Sequence, residues 1–279
     1  MQKPVSLYVN CFERDYVKVL SPGFMAEKAG QFRYPFSKVV VSINNVRDHG
    51  HALRLAEKAV RRCEIDGYVE VERSLPMALS VCGLKARDLG IVRHYIDFAL
   101  VAVVSARPGY LLYCCAEVDM AEPVDWITPA LRVLSENSDI LVANPVWASD
   151  PAGVEREAIR REGHHFVGRG FSDQCFLVDA ARLAQPVYKY QHPAGSRYPM
   201  SDVGDIFEKR VDAYMRHHGL LRLTDPRASY IHRGPEGSGY PTPPFWMRLR
   251  RRIQRLFTPG SAPGKAPAKG FRKKHTISS

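Results

Sequence analysis

Glycine occurs in this sequence, but not where a phosphate-binding loop would need it. The turn after the first strand-like run reads Asn10-Cys11-Phe12-Glu13-Arg14, without the G-x-G-x-x-G that a dinucleotide-binding turn requires. The near match to a P-loop at 260–265 is one residue short, lacks the closing Ser or Thr and follows no strand. A bound nucleotide would therefore be held by side chains and a metal, not by a backbone cradle. The six cysteines (Cys11, Cys63, Cys82, Cys114, Cys115 and Cys175) have no C-x-x-C spacing and read as small core residues in a reducing compartment. No apolar run follows the start, so a secretory leader is not expected. The longest apolar stretch, 98–104, is far too short to span a bilayer. Acidic residues are missing altogether from 245–279, which hold ten Lys or Arg. The net charge of +11 belongs to that segment, because residues 1–244 carry 30 basic and 29 acidic side chains. Nucleic acid is therefore not an expected partner of the body.

What is present is an alternation of strands and helices. Residues 5–10, 38–43, 68–71, 110–116 and 140–146 read as strands, several of them β-branched and apolar throughout. Residues 17–31 form a poor helical connection with Pro22 and Gly23. Residues 51–63 carry Ala52, Leu55, Ala56, Ala59 and Val60 at helical spacing. A helix-compatible stretch leads to about 105, and 126–134 is a further helix. This order predicts an α/β fold, a mostly parallel sheet covered by helices on both faces. Beyond it, 176–178 is strand-like, 206–217 a helix and 228–231 a last strand.

The run Y-L-L-Y-C-C-A-E-V-D-M at 110–120 carries the most chemistry. An apolar strand ends in Glu117-x-Asp119, and period-two geometry puts both carboxylates on one side if the strand continues. The carboxyl edge of a parallel sheet is where such folds bind ligands. A hard divalent cation relieves the repulsion between the two carboxylates, bridges a pyrophosphate and neutralises its charge as it leaves. The plain alternative is a solvated acidic turn.

Taken together, these elements resemble a GT-A glycosyltransferase, closest to the family 2 type, over about residues 3–235. The first-strand turn of that family, Thr/Asn-Tyr/Phe-Asn-Arg, is approximated by Asn10 to Arg14. Its second strand usually ends in acidic residues that read the nucleobase and ribose; here stand Ser42-Ile43-Asn44-Asn45, with Asp48 three residues on. Its Asp-x-Asp motif is matched by Glu117-Val118-Asp119, with Glu first. The resemblance implies nucleotide-sugar contacts from Asn10, Arg14, Asn44, Asn45, Asp48, Asp97 and Glu117, with Asp97 equally readable as a structural cap. It also implies a Mn2+ or Mg2+ ion held by Glu117, Asp119 and a late histidine, here His232. The implied activity is transfer of a sugar from a UDP- or GDP-sugar to a glycan or lipid-linked acceptor, in surface polysaccharide assembly.

Inverting transfer needs a carboxylate that takes the proton of the acceptor hydroxyl. Relatives supply an Asp at a helix start, a few residues before an Arg. Asp205, five residues before Arg210, fits that form, with Asp202 in reserve. Each is equally readable as a helix cap. Ser172 and Asp173 are expected to line the acceptor pocket, Asp173 also being a third candidate base.

The body is expected to be residues 1–235, followed by a Gly/Pro hinge at 236–244, a basic amphipathic helix at 245–257 and a disordered basic tail at 258–279. On a helical wheel, Phe245, Trp246, Leu249, Ile253, Leu256 and Phe257 fall within roughly 120°, with the arginines outside that arc. That pattern suits an interfacial helix on anionic lipid and a protein peripheral to the cytoplasmic face of a membrane. The alternative is a helix docked on the body. Two rival functions are a sugar nucleotidyltransferase, which should show an early Gly-rich basic loop, and a non-catalytic scaffold.

Overall fold

A computed structural model describes residues 3–147, 151–198, 200 and 203–233, and within them the strand–helix alternation is realised. The first half contains β1 (Val5–Cys11), α1 (Tyr16–Val19), α2 (Phe24–Gly30), β2 (Lys38–Ile43), α3 (His49–Arg61), β3 (Gly67–Glu70) and α4 (Val71–Val81). A 3-10 segment, Ala86–Tyr95, leads into α5 (Asp97–Ser105), β4 (Tyr110–Cys115), β5 (Val118–Met120), α6 (Ile127–Glu136) and β6 (Ile140–Trp147). Then come α7 (Pro151–Glu157), β7 (Ala158–Glu162), β8 (His165–Gly168), β9 (Cys175–Asp179), α8 (Ala180–Leu183), a 3-10 turn (Pro193–Arg197), α9 (Phe207–His217) and β10 (Leu221–His232).

The strands form a ten-stranded sheet in the order β3-β2-β1-β4-β9-β6-β10-β8-β7, with β5 added on β10. β1, β2, β3, β4, β6 and β10 all run the same way. β9 lies antiparallel between β4 and β6, and β8 is antiparallel to β10. The fold is the mostly parallel, helix-flanked α/β sheet expected. Because β2 and β4 lie on opposite sides of β1, the chain switches direction there, and the carboxyl ends of β1 and β4 are where such folds bind ligands.

Alternate residues of the central strands feed two cores. Leu7, Val9, Leu112 and Cys114 join the one beneath α3 and α6; Tyr8, Leu111 and Tyr113 join the one containing α4, α5 and α9. The apolar run 98–104 is α5, buried on every side. A helix apolar all round belongs in a core, where it has no wet face to satisfy. Phe98 stacks on Tyr113 at 5.4 Å, Tyr113 on Phe176 at 5.3 Å and Phe176 on Phe207 at 6.0 Å between ring centroids. Each such pair contributes about 0.5–1.5 kcal/mol beyond its buried area. This ladder matters for the site, since Asp97 and Glu208 adjoin its terminal rings and Asp173 lies three residues before Phe176.

Three sequence expectations change. The last strand is much longer than 228–231, running Leu221–His232 with a bulge between Asp225 and Ser229. The β7–β8 hairpin and the three-residue β5 had no legible pattern, being short elements of three to five residues at the periphery of the sheet. β4 stops at Cys115, and a turn at 116–117 separates Glu117 from Asp119 on β5. No helix of the described residues is long and apolar enough to cross a membrane. The hinge, the 245–257 helix, the tail and Asp202 lie outside the described residues.

Candidate active site

At the carboxyl ends of β1 and β2, buried polar side chains gather where a sheet otherwise carries apolar ones. Asn10, Ser42, Asn44 and Asp97 are each at most 4% exposed. The Asn44 amide donates to Asp97 Oδ1 at 3.3 Å, and the Phe98 backbone N–H donates to the same oxygen at 2.7 Å. Asp97 Oδ2 faces His94 Nδ1 at 3.3 Å and Arg93 Nε at 3.7 Å. Asn10 Oδ1 and Ser42 Oγ are buried with no hydrogen-bond partner. Unsatisfied buried oxygens are costly, and at a strand end they call for a donor from outside. Asn45, at φ 49°, is exposed, as is Arg14. Asp48 caps α3 by accepting from the His51 N–H at 2.9 Å.

The two carboxylates of Glu117-x-Asp119 part company. Asp119 accepts from Lys28 Nζ at 2.6 Å and from the Gln31 amide at 3.1 Å through Oδ1, and from Arg233 through Oδ2. Lys28 is a buried cation, 2% exposed, which also donates to the Val118 carbonyl at 2.6 Å. Partial burial opposes the charge on Asp119, but Lys28, Gln31 and Arg233 outweigh it and pull its pKa down to about 2. A protein ammonium thus stands where the sequence suggested a metal alone. Glu117 points elsewhere, its Oε2 lying 3.5 Å from His232 Nε2. His232 pairs with Val118 across β5–β10, and Arg233 N–H donates to the Glu117 carbonyl at 2.9 Å, so a short strand pair fixes this geometry.

Asp15 was not singled out from the sequence. It opens the first turn after β1, accepting from the Phe12 N–H at 2.8 Å, while its Oδ2 is buried without a hydrogen-bond partner. Burial, helped by the charge of Glu117, lifts its pKa to about 7.

Opposite them, a second carboxyl pair forms where β9 begins. Cys115 N–H donates to the Gln174 carbonyl at 2.8 Å, which sets Asp173 beside the end of β4. The Asp173 N–H donates to Glu208 Oε1 at 3.1 Å, and the two side chains hydrogen-bond each other. Glu208 sits in the first turn of α9, one residue after Phe207 of the aromatic ladder. Burial, then the neighbouring charge, pushes Asp173 well above the ordinary carboxylate range, and burial lifts Glu208 to about 7. Two carboxyls in one site do not both ionise readily, so the pair as a whole holds a proton more firmly than either would alone. The Ser172 hydroxyl lies 3.3 Å from Tyr230 OH, at the same place.

Asp205 is engaged otherwise. Lys209 Nζ lies 2.6 Å from Oδ1, Gln191 donates to Oδ2 at 3.0 Å, and its carbonyl accepts from Arg210. Arg210, the spacing cue that favoured Asp205, is 6% exposed and donates to three backbone carbonyls, those of Asp205, Tyr188 and Asp88. Glu208, two residues before it, carried no cue beyond its place in a helix's first turn.

No protein-family model and no curated sequence matches this chain. Similar solved structures include GalNAc-T7 with UDP, GalNAc and Mn2+, at 10% identity over 83% of this chain and 44% of that one, TM-score 0.49. TarS of S. aureus is 14% identical over 84% and 37%, TM-score 0.43. The mannosyltransferase PcManGT of Pyrobaculum calidifontis, with GDP-Man and Mn2+, is 14% identical over 94% and 66%, TM-score 0.48. The chain thus spans less than half the length of the first two and 66% of the third. Identity this low leaves the chemistry of this chain to its own residues.

Proposed function

We propose that this chain is a GT-A-type glycosyltransferase that moves a sugar from a UDP- or GDP-sugar to a hydroxyl of a glycan or lipid-linked acceptor, with inversion at the anomeric carbon. The observation that carries this reading is the arrangement at the switch point. Glu117, Asp119 and His232 stand on one side, and the hydrogen-bonded Asp173–Glu208 pair stands at the strand beside β4. The buried Asn10, Ser42, Asn44 and Asp97 supply the polar wall for a nucleoside, with the orphaned Asn10 and Ser42 oxygens as acceptors for its hydroxyl or N–H groups.

Glu117 and His232 face each other and would offer two donors to a divalent cation, with Asp119 on β5 as a third donor only if it moved closer as the exposed Arg233 turned away. When bound, Mn2+ or Mg2+ neutralises the charge that develops on the leaving diphosphate. Lys28 stays in place and holds Asp119 ionised. We take Glu208 as the base in preference to Asp205, whose carboxylate is engaged by Lys209 and Gln191. Glu208 takes the proton of the acceptor hydroxyl as its oxygen bonds to the anomeric carbon, and the donor's C–O bond breaks with its electrons on the diphosphate. A carboxylate near pH 7 is well matched to that transfer, and Asp173, hydrogen-bonded to it, orients it. Ser172 and Tyr230 lie beside the pair and line the acceptor side.

The setting that follows from the 245–279 composition is the cytoplasmic face of an anionic membrane, in assembly of a surface polysaccharide. The deciding experiment is donor hydrolysis and transfer by the full chain with and without EDTA, in wild type and Glu208→Gln. Metal-dependent turnover that Glu208→Gln abolishes while donor binding persists supports the reading. No hydrolysis of any UDP- or GDP-sugar with manganese or magnesium would leave the rival scaffold reading in its place.

A further inference from the structure

At the edge of the sheet away from β1 and β4, the β7–β8 hairpin brings two imidazoles against the bulge of β10. His164 stands in the hairpin turn, His165 opens β8, and Asp225 is the residue at which β10 leaves its register with β6. His164 Nε2 lies 3.3 Å and His165 Nε2 3.7 Å from the same oxygen, Asp225 Oδ2. The three ligand atoms lie within 4.8 Å of one another, and among the described residues no other His/Cys/Asp/Glu group meets that closeness. Donors bound tetrahedrally to one zinc at about 2.0–2.1 Å stand roughly 3.4 Å apart, close to both measured separations.

A second observation concerns the proton of His165, which is 2% exposed. Its Nδ1 lies 3.3 Å from the Glu162 carbonyl, a contact that only an N–H can satisfy. In the neutral ring the other nitrogen, Nε2, then carries the lone pair. That atom is buried, has no hydrogen-bond partner and is aimed at the Asp225 carboxylate. Asp225 is itself 2% exposed. A lone pair facing a carboxylate is repulsive in a low-dielectric site, and a cation between them converts the repulsion into two bonds. A carbonyl on the far nitrogen is also the usual outer partner of a metal-bound imidazole. Arg227 occupies Asp225 through Nε at 3.0 Å and Nη2 at 2.8 Å, but its side chain is 56% exposed and free to turn out. Its backbone N–H would still hold Oδ1 at 2.9 Å.

We infer that His164, His165 and Asp225 form a second cation site, independent of the diphosphate site and of the function read there, which fastens the β7–β8 hairpin to the bulge of β10. Two imidazole nitrogens and one oxygen, with a fourth position for water, select zinc and its borderline neighbours cobalt and nickel over magnesium. Its place ties to β10 a hairpin whose outer strand, β7, is paired on one side only.

The test uses tag-free full-length protein stripped with EDTA. Titration with Co2+ should give the visible bands of a tetrahedral ion, and Zn2+ should displace it at one equivalent, in Glu117→Gln as in wild type. His164→Ala removes a surface ligand without touching the core, and should weaken Zn2+ by at least about 10-fold while leaving the metal-free melting temperature unchanged. His165→Gln should do the same at greater cost to the fold. Zinc should raise the melting temperature of wild type and not that of His164→Ala. Absence of stoichiometric Zn2+ binding, unchanged affinity in both histidine variants, or loss of zinc only in Glu117→Gln would each overturn the assignment.

Discussion

Two groups of carboxylates flank the end of β4, and they are built in opposite ways. Asp119 is enclosed by Lys28, Gln31 and Arg233, so its charge is matched inside the protein and its pKa falls to about 2. Asp173 and Glu208 have each other instead, and burial without a matched cation raises both. The same functional group is therefore a fixed charge on one side and a proton store on the other. Chemistry that separates a negative leaving group from a departing proton uses both kinds of environment. The contrast also says that an acidic motif is not read by counting acids: what faces each oxygen decides its role.

The comparison is broken most strongly at Glu208. Glu208→Gln should lose turnover by a factor on the order of 10²–10⁴ with donor binding retained, read by steady-state kinetics and calorimetry. Asp205→Asn, whose carboxylate serves Lys209 and Gln191, should change turnover by less than about 10-fold. Equal losses in both variants would return the base to Asp205.

Removing the cation on the other side should instead cost stability. Lys28→Met leaves Asp119 partly buried with Arg233 as its remaining cation, and should destabilise by about 3 kcal/mol in chemical denaturation. A change under about 1 kcal/mol would mean that Asp119 is solvated well enough without Lys28.

The two groups should also respond to pH in opposite senses. The folded pKa of Glu208 is raised, so its contribution to stability is present at pH 4 and is lost as pH rises toward 7. Glu208→Gln should flatten that decline. Asp119 is depressed, so its contribution is held above pH 4 and lost as pH falls toward 2. Turnover should rise with pH to a plateau above about 7 as Glu208 loses its proton. A profile that falls across the same interval would contradict the assignment of Glu208 as base.

The smallest effect expected is at the 245–279 segment. Liposome co-sedimentation of the full chain should need anionic lipid and weaken in high salt, each basic residue contributing on the order of 1 kcal/mol. A 1–244 truncation should stay in solution yet keep its turnover on a soluble acceptor. Equal sedimentation of both would place the lipid contact on the body.

The strands β1, β2, β3, β4 and β6 were legible because apolar periodicity and β-branched runs are local signals, and they state which faces must be buried. The acidic segment after β4 and the polar end of β2 followed from the same patterns. The partners of those residues were not legible. Lys28 and Asp119 are 91 positions apart, Asp173 and Glu208 35, and His164 and Asp225 61, and nothing in a local window states that they meet. The sequence by itself decided that a carboxylate would stand at the switch point. Only the tertiary structure decided which carboxylate met a buried ammonium and which met another acid, because a pKa is set by what lies across a few ångströms of space and not by neighbours along the chain.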